Sequence, residues 1–190
     1  MGVGLVVIGG SWGGIQAART VLGALPSDFA APILLVLHRA ADGDDAMLAA
    51  TLSRSCSLRA ADAEDKDALR AGGVLIAPAG YHLLVEPGTV ALSTDEAVHF
   101  SRPSIDVTLL SASHAYGDRV AAVMLSGANE DGAAGCARVA GAGGSVLVQD
   151  PATAERTEMP TAALRACPAP ELVGDPAALG QRLADLAGAA

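Results

Sequence analysis

Short apolar runs, separated by glycine, proline and polar clusters, recur along this chain at intervals that suit strands alternating with helices. Gly4 to Ile8 (GLVVI) reads as a buried strand feeding a glycine-rich turn. Residues from about Ile15 to Leu25 have helical character, and Pro26 stops them. Pro32 to His38 (PILLVLH) predicts a second buried strand, followed by an acidic stretch from Ala40 to Asp45 and a helix from about Asp45 to Ser53. Alternating Asp and Ala between Asp62 and Arg70 fits helix and loop equally. Gly73 to Ala77 (GVLIA) predicts a strand closed by Pro78-Ala79-Gly80. From Tyr81 to Leu92 two short runs flank Glu86-Pro87-Gly88, a hairpin signature. Ser104 suits the cap of a helix running to His114. Val120 to Leu125 predicts another buried strand, Ala133 to Ala140 a helix, and Ser145 to Gln149 a further strand. A polar loop bounded by prolines precedes a short helix beginning at Thr161, and the Ala/Leu-rich tail from Asp175 reads as helical.

Strands that alternate with helices imply right-handed crossovers. The expected class is therefore α/β: a doubly wound, mostly parallel sheet with helices on both faces, a three-layer αβα sandwich. The hairpin is expected as an antiparallel addition at an edge. No repeat or low-complexity linker divides residues 1–190, so one domain is expected. In such a sheet, functional groups gather at the carboxyl ends of the strands, near a topological switch point.

Composition narrows the picture. The hydrophobic fraction is 51%, carried by small aliphatic residues, with only 3% aromatic, and the mean hydropathy is +0.39. No apolar stretch approaches the roughly 20 residues of a membrane helix, so no membrane insertion is expected. The opening segment lacks a basic region and reads as a first strand rather than a signal peptide. Three cysteines, Cys56, Cys136 and Cys167, form no close pair, which disfavours a disulfide framework or a cysteine zinc site and suits a reducing cytoplasm. No metal or cofactor is expected. With 12 basic and 21 acidic residues the net charge is −9, which argues against nucleic acid as a partner.

Three predicted strand ends carry reactive groups. The first ends in Gly9-Gly10-Ser11-Trp12-Gly13-Gly14. Glycines on both sides permit a sharp turn that projects the Ser11 hydroxyl and leaves backbone N–H groups open to an oxyanion. The same turn also suits phosphate binding or a simple helix cap. The second ends at His38, where a dinucleotide-binding fold favours an acid; a packed core histidine is the plainer reading. The Val120 strand ends in Ser126-Gly127-Ala128-Asn129-Glu130-Asp131-Gly132. Asp131 suits a helix cap, or a carboxylate that fixes the tautomer of His38. Hydroxyl, imidazole and carboxylate at one sheet edge together favour nucleophilic catalysis. The order Ser, His, Asp and the absence of a GxSxG elbow separate this pattern from the α/β-hydrolases.

Six segments in matching order resemble the chemotaxis protein-glutamate methylesterases, the CheB family, from about Val3 to Ala166. They are VVIGGSWGG, LVLHRA, GGVLIAPAGYHLLVE, SRPSIDVTLLSASHAYG, MLSGANEDGAAG and QDPATAERTEMPTAAL. The resemblance implies a serine hydrolase that removes glutamyl γ-methyl esters from the cytoplasmic helices of chemoreceptors and also deamidates glutamine there. It puts Ser11, His38 and Asp131 in the triad positions and the backbone at Trp12 or Ala128 in the oxyanion site. It sets His82 near the active edge, although a surface or hairpin role is the plainer reading. Arg102 and Arg156 are basic candidates for substrate contact, or else ordinary surface charges. His99 and His114 show no partner at metal spacing, and Asp106 reads as part of the helix start. Trp12 stands where the family commonly has Thr, and SGANEDG where it has TGMGxDG. The family's receiver domain is not expected in a chain whose first strand lies at its beginning, so a separate receiver or signalling protein is an expected partner. Two other readings remain: a non-catalytic CheB-like signalling module, and a Rossmann-like nucleotide-binding domain.

Overall fold

A computed structural model describes residues 2–38 and 45–188; the acidic stretch at 40–44 lies outside the described residues. Seven strands form one sheet: β1 (Leu5–Gly10), β2 (Ile33–Leu37), β3 (Arg59–Asp62), β4 (Gly73–Ile76), β7 (Val120–Met124), β8 (Ser145–Gln149) and β9 (Leu172–Gly174). Their order is β3-β4-β2-β1-β7-β8-β9, and every pairing is parallel. The remaining two, β5 (His82–Glu86) and β6 (Thr89–Ser93), pair antiparallel as a separate sheet.

The apolar runs explain the layering. Every residue of β1, β2 and β7 is buried, as continuous Val/Ile/Leu strands require when both faces are covered. Alternate side chains then serve two cores. Val6 and Ile8 join α1 (Gly14–Gly23), α2 (Asp45–Ser53) and α6 (Pro176–Gly188) on one face. Leu5 and Val7 join α3 (Ile105–Tyr116), α4 (Ala133–Gly141), α5 (Glu158–Ala166) and the hairpin on the other. Each fully buried Leu, Ile or Val contributes about 1.5–3 kcal/mol relative to its exposed state.

The doubly wound α/β expectation therefore holds, with corrections of detail. The hairpin is not an edge of the main sheet; it packs against α3 through Leu83, Val85 and Leu109 in the second core. Both edge strands, β3 and β9, went unpredicted because each is short and only half-buried, leaving no sustained apolar run. Helix α5 starts at Glu158, three residues before the expected Thr161. Pro160 falls in its first turn, where a missing N–H costs nothing.

Topology positions the site. From β1 the chain winds outward through β2 and β4, then returns to place β7 on the opposite side of β1. The switch point is thus the carboxyl end of β1, flanked by the ends of β2 and β7. Helix α3 begins across this end. A Cβ on Gly9 would lie 2.5 Å from Ile105 Cγ2, so a side chain there would push the start of α3 away from the strand end.

Candidate active site

Ser11 follows β1 directly, and its N–H donates to Ser126 O (2.9 Å) in the turn after β7. The chain then bends sharply through Gly13, at φ 78, into α1. A Cβ at Gly13 would meet Ser126 Oγ at 2.7 Å and Glu155 Cβ at 2.8 Å. Two penalties, left-handed backbone and close approach, fall on one residue. Gly13→Ala is therefore expected to lower stability by about 1–3 kcal/mol, measured as a reduced midpoint in urea unfolding. Ser126 ties the neighbouring loops together. Its hydroxyl donates to Trp12 O (2.7 Å) and accepts from Arg156 N (2.9 Å).

His38 continues β2 beside Ser11. Its N–H donates to Gly10 O (3.1 Å), extending the β1–β2 pairing by one residue. The ring lies 2.7 Å, through Nε2, from Asp131 Oδ2. Asp131 has no exposed surface and is surrounded by donors. Oδ2 also accepts from Ile105 N (2.7 Å), while Oδ1 accepts from Asp106 N (3.0 Å) and the Ser104 hydroxyl (2.8 Å). The carboxylate thus takes up the unpaired N–H groups at the start of α3, where the helix dipole favours negative charge. Burial works to raise its pKa, but the bonds from His38, Asp106, Ile105 and Ser104 outweigh burial and hold the carboxyl below its usual 3.8. Ionised Asp131 only accepts, so the His38 proton sits on Nε2 and the basic lone pair on Nδ1. Nδ1 meets the Ser101 hydroxyl at 3.1 Å. No hydrogen bond among the described residues joins Ser11 Oγ to the ring.

Neither the Trp12 N–H nor the Ala128 N–H donates to a described residue. The Trp12 indole is 61% exposed. Its Nε1 donates to Glu155 Oε1, and the Arg156 guanidinium lies 5.5 Å from the ring centroid. Trp12 is therefore held against the loop after β8. Glu155, set against the Gly13 turn, also puts a negative charge where the phosphate-binding reading needs a positive one.

The other predicted residues divide. Arg156 stands at the site, stacked on Trp12. Arg102 is engaged elsewhere: its guanidinium donates to Thr94 O (2.8 Å) and Asp95 O (2.9 Å), closing its own loop. His82, read as a surface or hairpin residue with a possible place at the active edge, is buried. Its Nε2 lies 3.0 Å from Glu96 O, and Nδ1 accepts from Ser104 N (3.1 Å). Asp106 joins the start of α3 as expected, its N–H donating to Asp131, and its carboxylate also accepts Gly135 N (2.7 Å) of α4. Burial pushes its pKa up, Gly135 opposes that, and the Asp131 charge adds to the rise. His99, for which the sequence shows no partner at metal spacing, has Nε2 3.5 Å from Asp106 and Nδ1 3.9 Å from Glu130. Donor atoms of His99, Asp106 and Asp131 lie within 4.8 Å of one another, but both Asp131 oxygens are already saturated by N–H and O–H donors. His114 lies in the last turn of α3.

Sequence reasoning missed Ser101, Ser126 and Gln149, whose Oε1 accepts Ser126 N (2.9 Å). Ser126 was visible as part of the SGANEDG turn; Ser101 and Gln149 carry no signal beyond their residue type. Beside the site lies a cleft of about 530 Å³, lined by His99, Phe100, Ala128, Asn129, Thr157 and Glu158. Phe100 is fully exposed.

Comparison with known proteins identifies the family. The family model described as CheB methylesterase matches residues 6–183. A protein of Leptospira interrogans named putative protein-glutamate methylesterase/protein-glutamine glutaminase is 44% identical over 162 residues, 85% of this chain and 83% of that protein. A protein-glutamate methylesterase/protein-glutamine glutaminase of Anaeromyxobacter dehalogenans is also 44% identical, over 85% of this chain but 47% of its own length. The crystal structure of the Thermotoga maritima CheB methylesterase catalytic domain superposes with a TM-score of 0.91 at 31% identity, covering 98% of this chain and 100% of that one. Among the described residues no helix is long and apolar enough to cross a membrane. On sequence and fold together, this chain belongs to the CheB methylesterase family.

Proposed function

We propose that residues 1–190 form one catalytic domain that hydrolyses glutamyl γ-methyl esters on the cytoplasmic helices of methylated chemoreceptors, releasing methanol. Ser11 is the nucleophile, His38 the base and Asp131 the orienting acid. The observation that carries the reading is the 2.7 Å His38–Asp131 pair, anchored at the start of α3 and set at the switch point beside Ser11. With Nε2–H held by Asp131, the Nδ1 lone pair is the one that takes the Ser11 proton as the hydroxyl attacks the ester carbonyl. The tetrahedral oxyanion is held by the Trp12 and Ala128 N–H groups, which have no partner of their own among the described residues. His38 returns the proton to the departing methoxide. Water, deprotonated by the same ring, then cleaves the acyl-enzyme to free the glutamate and Ser11. The same steps with a glutamine side chain release ammonia, matching the glutaminase half of the relatives' names. Arg156, stacked on Trp12 at the rim, is the basic residue best placed to meet a receptor carboxylate; Arg102 and His82 serve the scaffold. The domain works in the cytoplasm.

The test is methanol release from methylated chemoreceptor membranes by the full chain, with a fluorophosphonate probe in parallel. The expected result is steady methanol release and a covalent adduct on Ser11. Neither methanol nor adduct from the folded chain would leave the non-catalytic signalling module as the reading.

A further inference from the structure

The hydroxyl bonded to the base of this site is not that of Ser11. Ser101 Oγ lies 3.1 Å from His38 Nδ1, and the other ring nitrogen is committed to Asp131. A neutral imidazole has one lone pair. While Ser101 donates to it, the Ser11 hydroxyl has no acceptor there.

Ser101 is delivered by an unusual turn. Val98 and Ser101 exchange backbone hydrogen bonds, Val98 N to Ser101 O (3.1 Å) and Ser101 N to Val98 O (2.9 Å). The two residues between them, His99 at φ 48 and Phe100 at φ 61, are both left-handed. This two-residue turn is a form in which Asn-Gly is strongly preferred, because both central positions need positive φ. Here a histidine and a phenylalanine occupy them, at a cost of order 1–3 kcal/mol each. The turn is held at three points: Ser101 on His38, His99 beside Asp106 at 3.5 Å, and His99 O accepting from Asn129 Nδ2 at 3.5 Å. Its remaining side chain, Phe100, projects fully into solvent at the mouth of the cleft. A strained segment that persists because neighbouring groups over-determine it, next to a catalytic base, is the pattern expected of a functional constraint.

We propose that Ser101 is a positioning residue that caps the lone pair of His38 in the unliganded enzyme, and that this hydrogen bond must break before Ser11 is activated. The inference rests on the hydrolase reading of Ser11 and His38. In the working state Ser101 Oγ–H leaves Nδ1 and Ser11 Oγ–H replaces it. No covalent bond to Ser101 is made. The cap thus sets a tax on nucleophile activation equal to one neutral hydrogen bond.

The test follows fluorophosphonate labelling of the full chain, in which the Ser11 oxygen bonds to phosphorus, fluoride leaves and the base takes the proton, with no receptor needed. Ser101→Ala is expected to speed adduct formation on Ser11 by about two- to tenfold, the factor corresponding to one net hydrogen bond. Ser101→Thr, which restores a hydroxyl, should return the rate toward that of the parent; a loosened loop alone would not distinguish the two variants. Independently of any activity, in a Ser11→Ala background, where no competing hydroxyl can take its place, the ¹⁵N resonance of His38 Nδ1 should move toward that of an unbonded imine nitrogen on adding Ser101→Ala but not on adding Ser101→Thr. Slower or unchanged labelling of Ser101→Ala, or an unmoved Nδ1 resonance, overturns the cap and leaves the hydrolase reading standing. An adduct mapped to Ser101 in the parent chain overturns it differently, by making Ser101 itself the nucleophile. Failure of Ser11 to label in both parent and Ser101→Ala, with the Nδ1 resonance shifted as expected, sinks the hydrolase reading while retaining the hydrogen bond.

Discussion

Replacing Ser11 with alanine is expected to lower methanol release by roughly 10³- to 10⁶-fold, because a nucleophile and its base act as a unit. What remains is the modest help of an oxyanion site and of binding, with water attacking directly. The variant should fold normally. The Ser11 side chain makes no hydrogen bond to a described residue, and the backbone bond from Ser11 N to Ser126 O is unaffected by the change. Stability should therefore stay within about 0.5 kcal/mol of the parent. The comparison needs single-turnover rates on methylated receptor membranes and a urea titration of the same preparations. Normal turnover by folded Ser11→Ala would remove Ser11 from the mechanism.

Asp131→Asn should damage both activity and stability, and for one geometric reason. Each carboxylate oxygen accepts one backbone N–H, Ile105 on Oδ2 and Asp106 on Oδ1. Backbone N–H groups only donate, so whichever way an asparagine amide is turned, its own NH₂ faces one of them. One buried donor is left unsatisfied, costing about 1–3 kcal/mol in urea unfolding. If the NH₂ faces His38 as well, Nε2 must become the acceptor and Nδ1 the protonated atom. In the proposed mechanism His38 then points a proton, not a lone pair, toward Ser11. Activity should fall by about 10⁴-fold, the magnitude for a wrongly held tautomer.

The same variant should alter acid stability. Asp131 has a folded pKa below its usual 3.8. It therefore contributes stability that is present above 3.8 and lost as the pH falls through the lower folded value. Asp106 has the opposite sign. Its raised folded pKa means its contribution is fully present below 3.8 and lost as pH rises through the raised value. Urea midpoints below pH 3.8 should fall less steeply for Asp131→Asn than for the parent, whereas Asp106→Asn should gain relative stability near neutrality. An identical acid slope in parent and Asp131→Asn would show that this carboxylate is not the group being titrated.

The long apolar runs were legible because burial on both faces leaves the chain no alternative. β1, β2, β4, β7 and β8 were located within about two residues, as was the Ser104 cap of α3. Edge strands β3 and β9 were not, since a strand covered on part of one face needs no apolar run. The hairpin was recognised from Pro87-Gly88, yet its detachment from the main sheet depends on Leu83 and Val85 packing against α3, a choice made between distant segments. His82 shows the same limit in part. Of its surface and hairpin readings the hairpin one holds, since it opens β5, but the approach of Ser104 N and Glu96 O makes it a buried link rather than a surface group.

By itself the sequence determined the alternation of elements and the placement of Ser11, His38 and Asp131 at strand ends, because strand direction and parallel crossovers put those ends on one edge. Only the tertiary structure decided which groups touch. The start of α3 crosses Gly9 closely enough for Ile105, Asp106 and Ser104 to saturate Asp131, and a strained turn sixty-three positions after His38 delivers Ser101 to its ring. Hydrogen bonds act over about 3 Å, and a contact of that range between segments so far apart in the chain has no signature in local periodicity.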